Sequence, residues 1–169
     1  KAIRITNLFR QAQGRVAIQN ANCNAHARRY FIKAQNAYPE SKYYLDQYHD
    51  IYQLESEARG KPPDDVLRLR NQMRKKFEDM FDLATKQLPS YPAQLKFGKA
   101  LNYFLENYDG LTLFLDHVDV AIDNNLQERL LRSHVVGRKT WYGTHSERGA
   151  ETAAILFSIV ETCKMNQVN

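Results

Sequence analysis

Residues 121–141 read A-I-D-N-N-L-Q-E-R-L-L-R-S-H-V-V-G-R-K-T-W, and the rest of the chain is organised around them. Wound as a helix at about 100° per residue, the central part of this stretch separates into two faces. One face is apolar and carries Leu126, Leu130, Leu131, His134 and Val135. The other is polar and carries Asn125, Glu128, Arg129 and Arg132. We expect the leucines to anchor the helix and the polar residues to face outward.

The polar face has two interpretations. A glutamate among amides and guanidinium groups is either an ordinary ion-paired surface or part of a functional site. Glu128 and Arg132 are four residues apart, and such pairs are common on helices, where each contributes only about 0.2–0.5 kcal/mol. The spacing alone therefore leaves both interpretations open.

Three blocks, in the same order, resemble the insertion-sequence-66 family of transposases. The central stretch carries D-N-N-x-x-E-R-x-x-R at 123–132 and G-R-K-x-W at 137–141. Residues 23–31, C-N-A-H-A-R-R-Y-F, resemble the family's C-x-A-H-A-R-R-x-F block. Residues 146–154, S-E-R-G-A-E-T-A-A, resemble its ending. The three blocks span most of the chain.

The resemblance implies a DDE transposase on a ribonuclease-H-like scaffold, which cuts and joins DNA with carboxylate-held Mg²⁺ ions. The family's motif glutamate, the third metal-binding carboxylate, corresponds to Glu128. The family's two partner aspartates precede the C-x-A-H-A-R-R block, whereas here no aspartate precedes Asp46. We therefore interpret residues 1–169 as a single C-terminal part of the catalytic domain, inactive alone. Mg²⁺ is expected in the intact parent rather than in this part.

Basic residues concentrate toward the two ends of the chain, whose net charge is +5. Glu40 is the only acid before Asp46, and Glu147 is the only acid within 129–148. This pattern favours a phosphate-binding surface, although solvated faces produce it too. The residues predicted to contact DNA are Arg28, Arg29, Arg132, Arg138, Lys139 and Trp141. We expect the arginines and the lysine to share one side of the folded chain, and Trp141 either stacks on a base or fills the core.

A further group is expected to support this site. Asp123, Asn124 and Asn125 have the chemistry of a helix N-cap group, which is compatible with a site beside it. Arg129 would balance the charge of the Glu128 carboxylate. His26 is interpreted as a residue that faces phosphate or orients a neighbour, with a purely structural histidine as the alternative.

The remaining patterns predict a predominantly α fold with two or three short strands, one near Val16 and one at 118–122. Residues 43–92 are expected to form a helical-hairpin insertion. The reason is a run of apolar residues at alternating steps of three and four: Val66, Leu69, Met73, Phe77, Met80, Ala84 and Leu88. Asn22 or Asn24 is expected to cap the helix of 21–38, and residues 137–144 to form a loop. Ser146 is expected to cap a last helix whose buried side is Ile155, Leu156, Ile159 and Val160.

Other functional classes lack their signals. No apolar run approaches the ~20 residues of a membrane span, and two isolated cysteines favour a reducing compartment. We thus expect a prokaryotic cytoplasmic, nucleoid-associated protein with no membrane contact. Its expected partners are DNA (transposon ends and target), the remainder of the transposase chain and a homo-oligomer. The alternative is a non-catalytic helical module that binds DNA or another protein.

Overall fold

Helices form the regular structure of residues 19–140 and 143–168, the part of the chain that the computed structural model describes. The chain divides into two compact units, residues 1–123 and 124–169. The first unit contains α1 (Asn24–Ala34), α2 (Ser41–Ala58), α3 (Pro63–Gln87), α4 (Lys96–Glu106) and α5 (Tyr108–Thr112). The second contains α6 (Asn125–Thr140) and α7 (Glu147–Met165). Single 3₁₀ turns, Leu88–Ser90 and Leu113–Leu115, follow α3 and α5.

The longest helix, α3, carries the predicted apolar seam. It begins with Pro63 at the first helical position. The carboxylates of Asp64 and Asp65 in its first turn stabilise the helix, because they lie at the positive end of the helix dipole. The seam is buried from Val66 to Ala84. Helices α2 and α3 are antiparallel, because Tyr48 contacts the Phe77 ring while Tyr44, nearer the start of α2, donates a hydrogen bond to Gln87 at the end of α3. These two helices form a hairpin, and the assignment of residues 43–92 as a helical-hairpin insertion stays a prediction.

Aromatic rings from four helices form the core of the first unit. Phe31 of α1 stacks on Tyr44 of α2 with ring centroids 4.4 Å apart. It also meets Phe97 and Phe104 of α4 edge-on, each at 6.3 Å. Phe104 in turn stacks on Phe77 of α3 at 6.5 Å. Because burying one Phe contributes about 1.5–3 kcal/mol, these contacts fix α1 firmly against the hairpin.

Asn24 has a different role from the predicted one. The residue that caps α1 is Cys23, with no side-chain cap bond. Asn24 is the first helical residue, is fully buried, and donates from Nδ2 to the carbonyls of Leu111 (2.9 Å) and Ile122 (3.1 Å). Buried carbonyls require donors, so the amide is used to hold the segment after α4 instead of capping its own helix.

The fold is predominantly helical, as predicted, but the described residues contain no strand. Residues 118–122, expected to be a brief strand, form a turn in which the Val120 N–H donates to His117 at 3.0 Å. The physical reason is that a strand needs a neighbouring strand to pair with, and the described residues contain none; the Ile122 carbonyl accepts from Asn24 instead. The strand predicted near Val16 lies outside the described residues, and the ribonuclease-H-like fold stays a prediction.

In the second unit, α6 continues further than the sequence suggested. Residues 137–140, expected to begin a loop, form its last turn. The Thr140 hydroxyl donates to the Val136 carbonyl at 3.1 Å, as a side chain within a helix does. The predicted cap of α7 is confirmed, because the Gly149 N–H donates to Ser146 Oγ at 3.0 Å.

Both helices of the second unit leave their apolar faces exposed, against our expectation. Leu131 of α6 is 56% exposed and Leu156 of α7 is 57% exposed. The same holds for Leu126, Val135, Val136, Ile155, Ile159 and Val160, whereas Leu130 is half-buried. Leu126 and Leu131 therefore do not anchor α6 within the described residues. A sequence pattern identifies which face is apolar, but burial requires a partner surface that the pattern does not contain.

Candidate functional site

Four predicted site residues lie together at the start of α6. Asn125, Glu128, Arg129 and Arg132 line an open pocket of about 450 Å³. Their spacing of three and four residues places them on one side of the helix. The Glu128 N–H donates to the Asn124 carbonyl at 2.9 Å, and Arg129 Nε donates to the Asn125 carbonyl at 3.3 Å. The helix start thus presents one carboxylate flanked by two guanidinium groups.

The position of Glu128 suits a negative charge. It lies in the first turn of α6, where unpaired N–H groups give the helix end a partial positive charge. Its side chain is exposed, as are those of Arg129 and Arg132. Because this carboxylate is exposed, it can bind a cation or accept a hydrogen bond without the free-energy cost of keeping a charge buried.

Within the described residues, no group of three or more His, Cys, Asp or Glu side chains is arranged to hold a metal ion. Glu128 is the one carboxylate among the residues that line the α6 pocket. Two-metal catalysis requires several carboxylates around the ions. The described part of this chain therefore does not fit a complete Mg²⁺ site by itself.

Asp123, expected to support the site, ends the first unit and bonds to α2. Its Oδ2 accepts a hydrogen bond of 3.0 Å from the Tyr52 hydroxyl. Burial raises the pKa of Tyr52, the Asp123 carboxylate raises it further, and the nearby Arg28 charge opposes both. The Tyr52 hydroxyl therefore stays protonated and donates to Asp123 at neutral pH.

The two arginines predicted as a basic pair on α1 leave the helix in different directions. Arg28 and Arg29 are both exposed, but successive residues of a helix are about 100° apart. Arg28 lies on the side of Tyr52, whose pKa it affects. Arg29 lies about 100° further around the helix, and His26 is half-buried. Their expected common side with the α6 residues stays a prediction.

The C-terminal half of α6 adds one predicted residue to the polar face. Lys139 is exposed and lies seven residues after Arg132, so the two belong to the same side of the helix. This alignment arises because residues 137–140 are helical rather than a loop. The Arg138 side chain and all of Trp141 lie outside the described residues, so their predicted DNA contacts stay predictions.

Sequence reasoning missed a second group of cations. Lys33 of α1 and Lys96 and Lys99 of α4 are exposed, and the two helices pack together through Tyr30 and Tyr103. Lys33 and the α4 lysines are far apart in the sequence, so blocks of basic residues along the chain do not bring them together. The four-residue spacing of Lys99 and Tyr103, which places both on one side of a helix, could have indicated part of this group.

The family model described as "Transposase IS66 family" matches residues 7–152, which is most of the chain. The chain belongs to the IS66 transposase family. The family match includes the N-terminal and central motif blocks in full and most of the last one. It also includes both groups of exposed cations described above.

Relatives of this IS66-family chain are considerably longer. Uncharacterized protein y4hP of Sinorhizobium fredii (strain NBRC 101917 / NGR234) is 30% identical, over 91% of this chain and 31% of its own length. Uncharacterized protein y4qI of the same strain is 30% identical, over 90% of this chain and 29% of its own length. The chain thus spans about a third of these relatives. No solved structure matches it.

One further result concerns membranes. Within the described ranges, none of the helices of this IS66-family chain combines the length and the apolar character that crossing a bilayer requires.

Proposed function

We propose that this chain is part of a DDE-type DNA transposase and that Glu128 is one of its metal-binding carboxylates. The observation that carries the proposal is the start of α6, where Glu128 is exposed beside Arg129 and Arg132 within the family motif. A rigid helix is a suitable support for such a ligand, because ligands on mobile loops lose their geometry. In the intact parent, Glu128 would help to hold Mg²⁺, which would supply activation of the attacking oxygen and stabilisation of the leaving one.

The chain's own residues have separable tasks in this proposal. Glu128 supplies the negative charge that holds a cation. Arg129 and Arg132 balance that charge when the cation is absent and bind DNA phosphate when it is present. Arg28, Arg29, Arg138 and Lys139 supply further backbone contacts, which position DNA without reading its sequence. Trp141 stacks on an unpaired base.

The remainder of a longer transposase supplies what the described residues lack. We propose that it contributes the other carboxylates and packs against the exposed apolar faces of α6 and α7. Two facts support this: the apolar side chains are more than 40% exposed, and curated relatives are about three times as long. The partners proposed for the whole protein are transposon ends, target DNA and a second copy, in the bacterial cytoplasm at the nucleoid.

The test is Glu128→Gln in the full-length transposase, assayed for Mg²⁺-dependent DNA strand cleavage. The change keeps the shape of the side chain and removes its charge, so cleavage should be abolished while DNA binding remains. Glu78→Gln, an exposed helical glutamate of α3 outside the motifs, is the matched control and should cut normally. In this chain, Glu128→Gln should alter the free energy of unfolding by less than about 0.5 kcal/mol. Comparable cleavage by both variants would overturn the assignment.

A second candidate function is a non-catalytic helical DNA-binding or protein-interaction module. It is favoured by the absence of a three-ligand metal group in residues 19–140 and 143–168. In such a module, Glu128 is a surface residue beside two arginines. DNA binding would then be independent of Mg²⁺, and the Gln variant would behave like the control in every assay.

A further inference from the structure

A pair of stacked tyrosines lies where α1 packs against α4. The rings of Tyr30 and Tyr103 have centroids 4.6 Å apart and are nearly parallel, with an angle of 24°. Both residues are half-buried, so the pair reaches the surface along the line between the two helices. Since the rings stack on each other, they form a rigid surface there.

Exposed cations lie beside this tyrosine pair on both helices. Lys33 Nζ lies 5.8 Å from the centre of the Tyr30 ring. On α4, Lys99 and Lys96 precede Tyr103 by four and seven residues, which places them on the Tyr103 side of the helix. We call Lys33, Lys96 and Lys99 the α1–α4 basic face.

The direction of the helices brings the lysines of this face to the same end. The start of α1 lies near residue 111, because Asn24 donates to Leu111. The end of α1 lies near the start of α4, because Tyr38 stacks on Phe97 with centroids 5.9 Å apart. The two helices are therefore antiparallel, and Lys33 lies toward Lys96 and Lys99.

This face lacks the counter-ions found elsewhere in the first unit. Helix α1 contains no acid, and the one acid of α4 is Glu106 at its far end. No member of the α1–α4 basic face forms an ion pair with any residue in the described ranges. On α2 and α3, by contrast, cations are paired within the same unit: Lys42 with Asp46, Lys75 with Asp79, Lys76 with Asp50 and Arg70 with Glu55.

Clustered like charges without counter-ions create a positive potential that attracts an anion. We propose that the α1–α4 basic face binds the phosphate backbone of DNA, a step that rests on the proposed function. Neighbouring helix axes are about 8–10 Å apart, which is roughly the axial rise of three base-pair steps, about 10 Å, along one DNA strand. Lysines act there as point charges, so this surface positions DNA without selecting its sequence.

The test measures the binding of the whole 169-residue chain to two unrelated duplex DNA sequences across a series of salt concentrations. Lys33→Gln combined with Lys99→Gln should weaken binding to both duplexes alike. The slope of log affinity against log salt should fall by about 1.8, because each lost phosphate contact contributes about 0.9. The matched control, Lys42→Gln combined with Lys75→Gln, removes the same charge from paired, exposed lysines and should leave the slope nearly unchanged.

Three results would overturn the proposal. The first is an unchanged slope in the α1–α4 variant, and the second is an equal loss in the control, which would indicate a general effect of net charge. The third is polyglutamate competing as well as DNA of the same charge, which would indicate an acidic protein partner. All four lysines are exposed, and an unchanged circular dichroism spectrum verifies the fold. The cleavage assay of Glu128→Gln is independent, so either proposal can fail alone.

Discussion

Arg70 is the residue on which the packing around α3 depends most. It is 3% exposed and donates from Nη1 to the carbonyls of Phe114 (2.7 Å) and His117 (2.9 Å). Its other guanidinium nitrogens bond to the Glu55 carboxylate of α2. One side chain therefore joins α3 to the preceding helix and to the segment that leads toward the second unit.

Arg70→Met should cost about 3–5 kcal/mol of unfolding free energy, since it leaves the Glu55 charge and two carbonyls without their buried partner. Arg74→Met is the matched control on the same helix. Its ion pair with Asp116 is exposed, with the Asp116 side chain 63% accessible, and should contribute less than about 1 kcal/mol. Urea unfolding of both variants provides the comparison. Similar losses would mean that the buried network adds little to stability.

At the scale of elements, α4 is held against the turn that precedes it. Gly98 faces this turn, and a Cβ there would lie 2.5 Å from the Tyr91 carbonyl oxygen and closer still to that of Pro92. Both are backbone atoms, which cannot rotate away as a side chain can. The close approach fixes where α4 begins, and with it the position of Lys96 and Lys99.

Gly98→Ala should destabilise the chain by about 1–2 kcal/mol. Helix propensity alone favours alanine by about 1 kcal/mol, but overpacking against backbone costs about 1–3 kcal/mol and outweighs it. Asn102→Ala, one turn after Gly98 on the same side of α4, gains propensity without a clash and should be neutral or stabilising. Thermal unfolding measures both changes. A higher melting temperature for Gly98→Ala would show that the turn moves freely.

The sequence predicted well those elements whose cause is local. The α3 seam follows from apolar steps of three and four, and the Ser146 cap from a short-range bond within α7. It failed where the cause is distant in the chain. Asn24 has ordinary capping chemistry, yet its amide bonds to residues 87 and 98 positions away. Likewise, residues 118–122 have strand composition, but no neighbouring strand lies within the described part of the chain.

The same distinction between local and distant causes applies to the candidate site. The grouping of Asn125, Glu128, Arg129 and Arg132 was predictable, because helical periodicity alone produces it. The bond between Tyr52 and Asp123 was not, since the two residues are 71 positions apart. Nor was the α1–α4 basic face, which depends on the packing of two helices that are separate in the sequence.

At the scale of the whole molecule, the two units should differ in local stability. Most helical stability comes from packing of an apolar face, and in α7 no described residue is buried. In α3, by contrast, the seam from Val66 to Ala84 is buried. We expect the backbone amides of α6 and α7 to exchange with deuterium much faster than those of α3 in this chain.

The same measurement on the full-length transposase tests what covers the second unit. If the remainder of the protein packs on α6 and α7, their amides should become protected there. The amides of α3 serve as the internal reference, because their protection arises within the first unit. Equal protection of α3 and α7 in the shorter chain would contradict the proposal.

The bonds of Asn24 also set an order in time. A ribosome synthesises α1 before α2 to α5, and the Leu111 and Ile122 carbonyls that accept from the Asn24 amide are added 87 and 98 residues after Asn24. At roughly 5–20 residues per second, this delay is about 5–20 s. During that interval the amide can bond only to water or to incorrect partners. Helix α1 is therefore locked in place only after α2 to α5 have been synthesised, and arrest of the nascent chain before Ile122 leaves α1 exposed to chaperones and proteases.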